Sequence, residues 1–186
     1  VSAAQNGAFS ATVTLVEGEN IIAAWVTDEF GSGRSNERRV MRDSGAPAPV
    51  TLGTPGYKQG TGLQFDWLFA PEGEQPASIA LLRAAAPFSA TNGATWQGAW
   101  TTANPLVHTP PSDGRWYFAA IGRDAAHNVS QISNLITNDF DGTPPVFTNA
   151  FDKPSPCGTG PLQIEIESSE PLSGLPIITV QTPAAS

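Results

Sequence analysis

The sequence predicts an all-β protein made of tandem antiparallel β-sandwiches. Three observations support this class. Of the 186 residues, 18 are Gly and 17 are Pro, which is typical of short strands joined by many turns. Apolar residues alternate with polar ones in several segments, and the chain repeats itself after about 97 residues, the size of one seven-stranded sandwich.

The internal repeat divides the chain into three pieces. Trp25-Val-Thr-Asp28-Glu-Phe-Gly31 corresponds to Ile121-Gly-Arg-Asp124-Ala-Ala-His127, and a Ser-Asn pair follows each segment, at Ser35-Asn36 and Ser133-Asn134. Asp43 and Asp139 are also 96 residues apart, and each precedes a joint that contains Pro. We therefore predict the back half of one domain in residues 1–46, a complete domain in 47–143 and the front half of another in 144–186.

Alternating apolar residues place the strands. In the first piece they predict strands over Phe9–Leu15, around Ile22, Ala24 and Val26, and over Glu37–Arg42. In the middle piece, Leu63, Phe65, Trp67 and Phe69 predict a strand with all four side chains in the core. Further strands are expected around Ile79 and Leu81, Leu106, Trp116–Ala120 and Gln131–Thr137, and in the third piece around Leu162, Ile164 and Ile166.

Charge and hydropathy exclude two classes of partner. The net charge is -8, and an acidic surface repels phosphate backbones, so we expect no nucleic-acid partner. No apolar run approaches the roughly 20 residues that span a bilayer, so the sequence predicts no membrane span.

Several of these segments resemble known domains. Phe9-Ser-Ala-Thr-Val-Thr-Leu15, Glu17-Gly-Glu-Asn-Ile-Ile22 and Ser168-Ser-Glu-Pro-Leu-Ser-Gly-Leu175 resemble elements of bacterial immunoglobulin-like (Ig-like) repeats. The middle piece is similar to a fibronectin type III domain in Trp67, Asp113-Gly-Arg-Trp-Tyr-Phe118 and Arg123-Asp-Ala-Ala-His-Asn-Val-Ser130, although His127 stands where such domains usually have Gly.

The resemblance implies a non-catalytic spacer or adhesive role in a secreted or cell-surface bacterial protein or appendage. The partners that it implies are neighbouring domains of the same polypeptide, other copies in an assembly, or a cell-surface protein or glycan. The outer pieces, residues 1–46 and 144–186, together have the size of one domain. They are parts of longer repeats, or they complement each other head to tail between copies.

No segment predicts a catalytic site or a required cofactor. His108 and His127 lie outside known catalytic motifs, and we expect both to be solvated turn histidines. With these two histidines, the single Cys157 cannot complete a four-ligand zinc site. Cys157 is a free thiol or half of a bridge to a partner beyond Ser186.

Acidic residues near the two joints are candidate calcium ligands, because Ca²⁺ takes six to eight oxygen ligands. The candidates are Asp43 with Asp28 or Glu29 at the first joint, and Asp139 and Asp141 with Glu170 at the second. Another interpretation stays open: Asp28 and Asp124 cap turns, and the linker acids are solvated.

Three tryptophans, Trp25, Trp96 and Trp100, are candidate ligand-binding residues. Trp25 is out of phase with its strand, and the other two lie outside the predicted strands. Exposed tryptophans stack on sugar rings, so the alternative function is an accessory glycan-binding module of a secreted multidomain enzyme. Packing against a neighbouring domain or under a loop is the other interpretation.

Overall fold

The computed structural model describes residues 2–3, 8–58, 62–153, 155, 157–172 and 174–181. Its regular structure is nearly all β, as the sequence predicts, with one 3-10 turn at Thr91–Gly93. Among the described residues, no helix is both long and apolar enough to cross a bilayer. The chain forms two compact units, Val1–Phe140 and Asp141–Ser186.

The chain before Asp43 forms three separate antiparallel strand pairs within the described residues. The strands are β1 (Ser2–Ala3), β2 (Phe9–Ser10), β3 (Gly18–Ile22), β4 (Trp25–Asp28), β5 (Gly31–Arg34) and β6 (Arg38–Arg42). β1 pairs with β2, β3 with β6, and β4 with β5.

The strand predicted over Phe9–Leu15 is shorter than expected, because β2 ends at Ser10. Just after the predicted strand, the side chain of Asn20 binds the backbone of Val16. Val16 N donates to Asn20 Oδ1 at 2.9 Å, and Asn20 Nδ2 donates to the Val16 carbonyl at 2.8 Å. Backbone groups that are bound by a side chain do not join a strand ladder.

The described residues from Thr51 to Phe140 contain nine strands. They are β7 (Thr51–Leu52), β8 (Gly56–Lys58), β9 (Gly62–Phe65), β10 (Trp67–Leu68), β11 (Ser78–Ala84), β12 (Trp96–Gln97), β13 (Leu106–His108), β14 (Gly114–Arg123) and β15 (Ile136–Phe140). A four-stranded antiparallel sheet has the order β12-β11-β14-β15, a three-stranded sheet has the order β13-β9-β8, and β7 pairs with β10.

An inner apolar cluster joins one face of the four-stranded sheet to the strands β7, β9, β10 and β13. Phe65 of β9 and Phe118 of β14 are fully buried at its centre, with ring centroids 4.7 Å apart. Burying each such side chain contributes roughly 1.5–3 kcal/mol. The other members are Val50, Leu52, Leu63, Trp67, Ile79, Leu81, Leu106, Ala120 and Phe140.

Phe69 is not in the core, which corrects the prediction from alternation. Its side chain is 42% exposed and meets the Trp67 ring edge-on at 5.0 Å. After Asp66 the chain leaves β9 and pairs with β7 instead, with Gly53 N donating to the Asp66 carbonyl at 2.8 Å. This pairing ends at Leu68, so the next side chain is beyond the ladder.

The other face of the four-stranded sheet is also buried. Small or short side chains on β11 and β14 let the loop after β11 lie close to the sheet, and Phe88 of that loop is 8% exposed. A Cβ atom at Gly93 would lie 2.6 Å from Phe88 Cβ, so the loop requires glycine there. The buried members of this outer cluster are Ala80, Leu82, Ala84, Phe88, Ala119 and Ile121.

One hydrogen-bond arrangement occurs three times in the described part of the first unit, at Ser35, Ser130 and Ser133. Ser133 N donates to the Ala120 carbonyl at 2.8 Å, and Ala120 N donates to Ser133 Oγ at 2.8 Å. The Ser133 hydroxyl in turn donates to the Asn134 carbonyl at 2.8 Å. The corresponding three bonds, of 2.9, 2.8 and 3.0 Å, are formed by Ser35 with Ala24 and Asn36.

β15 begins at Ile136, five residues after the start predicted at Gln131. Ser130 makes a similar exchange with β14: Ser130 N donates to the Gly122 carbonyl at 2.9 Å, and Gly122 N donates to Ser130 Oγ at 2.8 Å. Because serine hydroxyls replace main-chain acceptors here, residues 130–135 follow β14 without forming a regular ladder.

The second unit contains an antiparallel strand pair in its described residues, β16 (Phe147–Phe151) and β17 (Ile164–Ser168). One face of this pair carries Phe147, Phe151, Ile164 and Ile166. Phe151 lies opposite Ile164, whereas Ile166 lies opposite Asn149 and Phe147 opposite Ser168. Glu165 and Glu167 are exposed on the other face. The prediction of an amphipathic strand with one acidic face is confirmed.

Candidate functional site

Among the described residues, a group of three acidic side chains lies close together at the first joint. Carboxylate oxygens of Asp43, Glu74 and Asp124 lie within 4.8 Å of one another. Asp124 is 3% exposed, whereas Glu74 is exposed. Three acidic side chains at this distance repel one another unless a cation or a proton lies among them.

The turn after β14 positions Asp124. Its carboxylate accepts from Asn128 N at 2.9 Å and from Asn128 Nδ2 at 2.8 Å. His127 has a φ of 74°, in the left-handed region. The resemblance to fibronectin type III domains implies a glycine at this position. Asp124 therefore caps its turn, which agrees with the turn-cap interpretation of this residue.

Asn128 also connects this turn to the first joint. Its Nδ2 donates to the Asp43 carbonyl at 3.1 Å, so one amide group contacts both Asp43 and Asp124. Next to it, Ala48 N donates to the Glu74 carbonyl at 2.8 Å. These two bonds fix the chain on both sides of the joint at Pro47 against the 47–140 segment.

The surroundings of the cluster shift the pKa values of Glu74 and Asp124 in opposite directions. Desolvation and the neighbouring carboxylates of Asp43 and Asp124 raise the pKa of Glu74. Desolvation opposes ionisation of Asp124 too, but the hydrogen bonds from Asn128 and the turn backbone outweigh it and lower the pKa of Asp124. The fold thus disfavours the charged form of Glu74 and favours that of Asp124.

Of the acids predicted at the first joint, the structure includes only Asp43 in this cluster. Asp28 lies at the turn between β4 and β5, where its Oδ1 accepts from Phe30 N at 2.9 Å and Gly31 N at 3.0 Å. Glu29 is exposed in the same turn. The position of Glu74 beside Asp43 could not be predicted from the sequence, because no local pattern links it to the joint.

Of the acids predicted at the second joint, Asp139 and Asp141 have carboxylate contacts of their own, and Glu170 binds a neighbouring serine through its backbone. Both oxygens of Asp139 accept from Arg115 across the β14–β15 pair, at 2.7 and 2.8 Å, and these bonds lower the pKa of Asp139. Asp141 Oδ1 accepts from Thr143 N at 3.2 Å, and Glu170 N donates to Ser168 Oγ at 3.4 Å. Calcium at either joint stays a prediction.

Trp96 belongs to a stack that includes His108 and Arg83. The Trp96 and His108 ring centroids are 4.2 Å apart, and the Arg83 guanidinium lies 5.2 Å from the Trp96 ring and 4.8 Å from the Trp116 ring. A cleft of about 380 Å³ opens beside this stack and is lined by apolar residues that include Leu81 and Leu106. Arg83 is thus held between two indole rings.

His108 is half-buried in β13, which corrects the expectation of a solvated turn histidine. Arg83 Nη1 lies 2.8 Å from His108 Nε2, and a guanidinium offers only donors, so Nε2 accepts and the imidazole is neutral. Desolvation and the Arg83 charge lower the pKa of His108 to about 4.

Trp96 and Trp100 do not lie on one face of the sheet. Trp96 packs against the inner cluster, whereas Trp100 packs against the outer cluster with the Arg123 guanidinium 4.6 Å from its ring. Trp25 is 69% exposed and lies under Arg34, its cross-strand neighbour, at 4.8 Å. An arginine of the same unit therefore packs over the ring of each tryptophan that was predicted to bind a ligand.

Two other features are an exposed thiol and a surface groove. The Cys157 thiol is exposed and forms no disulfide among the described residues. A groove of about 630 Å³ on the outer cluster is lined by Phe88, Ile132 and Leu135 together with hydroxyl and amide side chains.

The chain was compared with protein-family models and with curated proteins. No family model and no curated protein matches it.

Proposed function

We propose that this chain is a non-catalytic spacer, part of a bacterial extracellular or cell-surface protein or appendage, built from tandem β-sandwich repeats. In this proposal residues 47–143 are a fibronectin type III-like domain. Residues 1–46 and 144–186 are the back half and the front half of Ig-like domains. Because one sandwich fold hosts many functions, the proposal rests on the repeat and on the contacts at the first joint.

The recurring Ser-Asn hydrogen-bond arrangement carries the proposal. Ser35 and Ser133 make the same three bonds to a preceding alanine and to the following asparagine, 98 residues apart. Ser130 makes the same three bonds to Gly122 and Gln131. The arrangements at Ser35 and Ser133 differ from it because they share an alanine and a Ser-Asn pair and follow aspartates that are 96 residues apart, and this combination supports two copies of one structural unit. Repetition of a unit of this size is typical of spacer proteins rather than of a single catalytic domain.

The contacts at the first joint support a spacer that resists bending. Asn128 binds the Asp43 carbonyl, and Ala48 N binds the Glu74 carbonyl, on the two sides of Pro47. Proline restricts the backbone between these two contacts. A joint that is fixed at both ends transmits direction from one domain to the next.

Two side chains with catalytic potential, His108 and Asp139, take part in structural contacts. His108 accepts from Arg83 and stacks on Trp96, and the Asp139 carboxylate binds Arg115 with both oxygens. Groups held in this way support strand packing and cross-strand pairing. This use of the charged residues supports a structural role for the chain.

Small-angle X-ray scattering tests the proposal. A compact chain of 186 residues has a radius of gyration of about 16 Å. We expect a clearly larger value and an elongated distance distribution for the monomer at low concentration. The variant Asn128→Ala should broaden that distribution by loosening the first joint, whereas Asn92→Ala, at an exposed turn, should not. A monomer with the radius of a compact particle would contradict the spacer function.

A further inference from the structure

A hydrogen bond and a ring stack join the two sheets of residues 47–140 along one edge. His108 lies on β13, an edge strand of the three-stranded sheet, and Trp96 lies on β12, an edge strand of the four-stranded sheet. Their ring centroids are 4.2 Å apart. Arg83 Nη1, from the neighbouring strand β11, donates to His108 Nε2 at 2.8 Å. The cleft of about 380 Å³ opens between the same two edges, because residues of both β12 and β13 line it.

This hydrogen bond requires a neutral imidazole. A guanidinium offers only donors, so a protonated Nε2 cannot accept from Arg83. Protonation of His108 instead places two positive charges side by side at the position of the bond. Their repulsion exceeds what a second cation gains over the Trp96 ring, because the Arg83 guanidinium already lies 5.2 Å from that ring. The contact between the two sheets is therefore lost when His108 gains a proton.

The described elements packed against His108 bring no negative charge to offset a proton. Leu63 of β9 lies opposite it in the register, and Phe118 of β14 meets its ring edge-on at 6.1 Å. β12 contributes the Trp96 ring, and β11 contributes the Arg83 guanidinium. Desolvation and the Arg83 charge lower the pKa of His108 to about 4. The contact is thus intact at neutral pH and weakens in mild acid.

The packing of the strands identifies β12 as the part that moves. A Cβ atom on Gly62 of β9 would lie 2.8 Å from the His108 carbonyl oxygen, so the backbones of β9 and β13 are in close contact. The backbone of Arg83 is held in β11, between β12 and β14. β12 itself is two residues long and is the outermost strand of its sheet. It therefore yields before either of the strands that carry the two charges.

We propose that His108 is an acid-sensitive latch: its protonation separates it from Arg83, releases β12 and opens the cleft onto the inner cluster. Leu81 and Leu106 line the cleft and are each only 4% exposed in the closed form. Release of β12 exposes them, while the pairing of β11 with β14 and of β14 with β15 stays intact. The latch lies within residues 47–140 and is independent of the spacer function.

Proton linkage gives the size of the effect. In the open form His108 regains its ordinary pKa of 6.5, so opening becomes more favourable as the pH falls from 6.5 to 4. Full recovery of that pKa would raise the opening equilibrium about fiftyfold between pH 7 and pH 4.5. We expect an increase of at least tenfold.

Hydrogen exchange followed by mass spectrometry tests the latch in the wild type. Thr95 N donates to the Arg83 carbonyl at 2.9 Å, and Gly98 N donates to the Leu81 carbonyl at 2.8 Å, so both amides report the release of β12. With labelling times scaled for the intrinsic exchange rate, these amides should lose at least tenfold protection at pH 4.5 relative to pH 7. The amides of β15, at the opposite edge of the same sheet, should not. Equal losses in β12 and β15, or none in β12, would overturn the proposal.

A pair of cysteine variants measures the opening of the cleft. In a Cys157→Ser background, Leu81→Cys places a thiol beside the cleft, and Leu82→Cys places one in the outer cluster, on the other face of β11. A dipyridyl disulfide reacts with thiols in mild acid, and free cysteine corrects for the effect of pH on the reagent. The Leu81→Cys thiol should react at least tenfold faster at pH 4.5 than at pH 7, and the Leu82→Cys thiol should not.

The two histidines supply the matched controls. His108→Gln offers a carbonyl oxygen to Arg83 and does not titrate, so β12 should keep its protection at pH 4.5. His127→Asn removes the other histidine, which lies in an exposed turn, and should leave the wild-type response unchanged. A loss of protection that persists in His108→Gln, or that disappears in His127→Asn, would contradict the latch.

Discussion

The carboxamide of Asn134 binds both backbone groups of Leu52: Leu52 N donates to Oδ1, and Nδ2 donates to the Leu52 carbonyl, each at 2.8 Å. One side chain thus holds β7 where main-chain pairing to its neighbour is lacking. Leu52 is only 2% exposed, so water has little access to the backbone groups that Asn134 satisfies. This contact contributes more to stability than a surface hydrogen bond does.

We expect Asn134→Ala to destabilise the protein by about 2–3 kcal/mol, because each buried backbone group left without a partner costs roughly 1–3 kcal/mol. Urea denaturation followed by tryptophan fluorescence measures the change. Asn92→Ala, at the exposed 3-10 turn, is the control and should change stability by less than about 0.5 kcal/mol. Equal effects of the two substitutions would contradict the structural role of Asn134.

Stability should fall as the pH is lowered from about 6.5 to about 4, because of His108. The folded protein lowers the pKa of His108 from 6.5 to about 4, so the unfolded chain takes up a proton first. The contribution of His108 is complete above pH 6.5 and is lost as the pH falls towards 4. Denaturation midpoints measured at a series of pH values check this.

His108→Gln serves as the control for the pH series. Glutamine offers a carbonyl oxygen to Arg83 and does not titrate in this range. The variant should therefore lose most of the pH dependence between 6.5 and 4 while it keeps the Arg83 contact. An unchanged pH profile would show that other groups cause the dependence.

Glu74→Gln should stabilise the protein near neutral pH when no divalent cation is present. The pKa of Glu74 is raised in the folded state, so folding favours its protonated form, and the stability that this provides is lost as the pH rises through the folded pKa. Glutamine keeps the size and removes the charge beside Asp43 and Asp124. The melting temperature in the presence of a chelator should rise, and a fall would contradict the repulsion.

The same variant checks the expectation of calcium at the first joint. Calcium that lies among Asp43, Glu74 and Asp124 would raise the melting temperature of the wild type and would raise that of Glu74→Gln less. Magnesium at equal ionic strength is the matched control for general screening. A wild type that responds equally to both salts would leave the cluster as a purely electrostatic feature.

His127→Gly should stabilise the protein by about 0.5–1 kcal/mol. His127 adopts a φ of 74°, and a side chain in the left-handed region costs energy that glycine does not pay. Ala126→Gly, one residue earlier in the same turn, should destabilise slightly because it only adds entropy to the unfolded chain. Calorimetry of both variants measures the difference, and an opposite order would contradict the strain at His127.

Trp96→Ala should cost about 1–2 kcal/mol of stability, because Trp96 stacks on His108 and contacts Arg83. Phe30→Ala is the control, since Phe30 is 89% exposed. A glycan array with the wild type and the double variant Trp96→Ala/Trp100→Ala tests the alternative function. Specific binding by the wild type that the double variant loses would support a glycan-binding module.

Local patterns in the sequence predicted which segments form strands better than they predicted where each strand begins and ends. Alternation at Leu63, Phe65 and Trp67 placed these residues in the core, but it could not show that the chain leaves its sheet before Phe69. The repeated Ser-Asn pairs were visible in the sequence, whereas the role of the Ser133 hydroxyl as a backbone acceptor was not. Side-chain acceptors of this kind shorten the hydrogen-bond ladder between two strands without changing the alternation of apolar residues in the sequence.

The acidic cluster shows a second kind of feature that the sequence could not predict. Asp43, at a joint, could be predicted from the repeat. Glu74 lies 31 residues after Asp43 and 50 residues before Asp124, with no pattern that relates it to either. Their proximity depends on the path of the chain between β10 and β11, which local spacing does not determine. Carboxylates that approach through tertiary structure are therefore found only once the fold is known.

The position of Asn128 has a practical consequence for producing the protein. Asn128-Val-Ser130 is an acceptor sequence for N-linked oligosaccharides, and the sugar would be attached to Nδ2. That nitrogen already donates to the Asp43 carbonyl and to Asp124 Oδ2. Expression through a eukaryotic secretory pathway would attach a bulky oligosaccharide to this nitrogen and yield a protein with a loosened first joint. Bacterial expression would leave both hydrogen bonds of Asn128 Nδ2 intact.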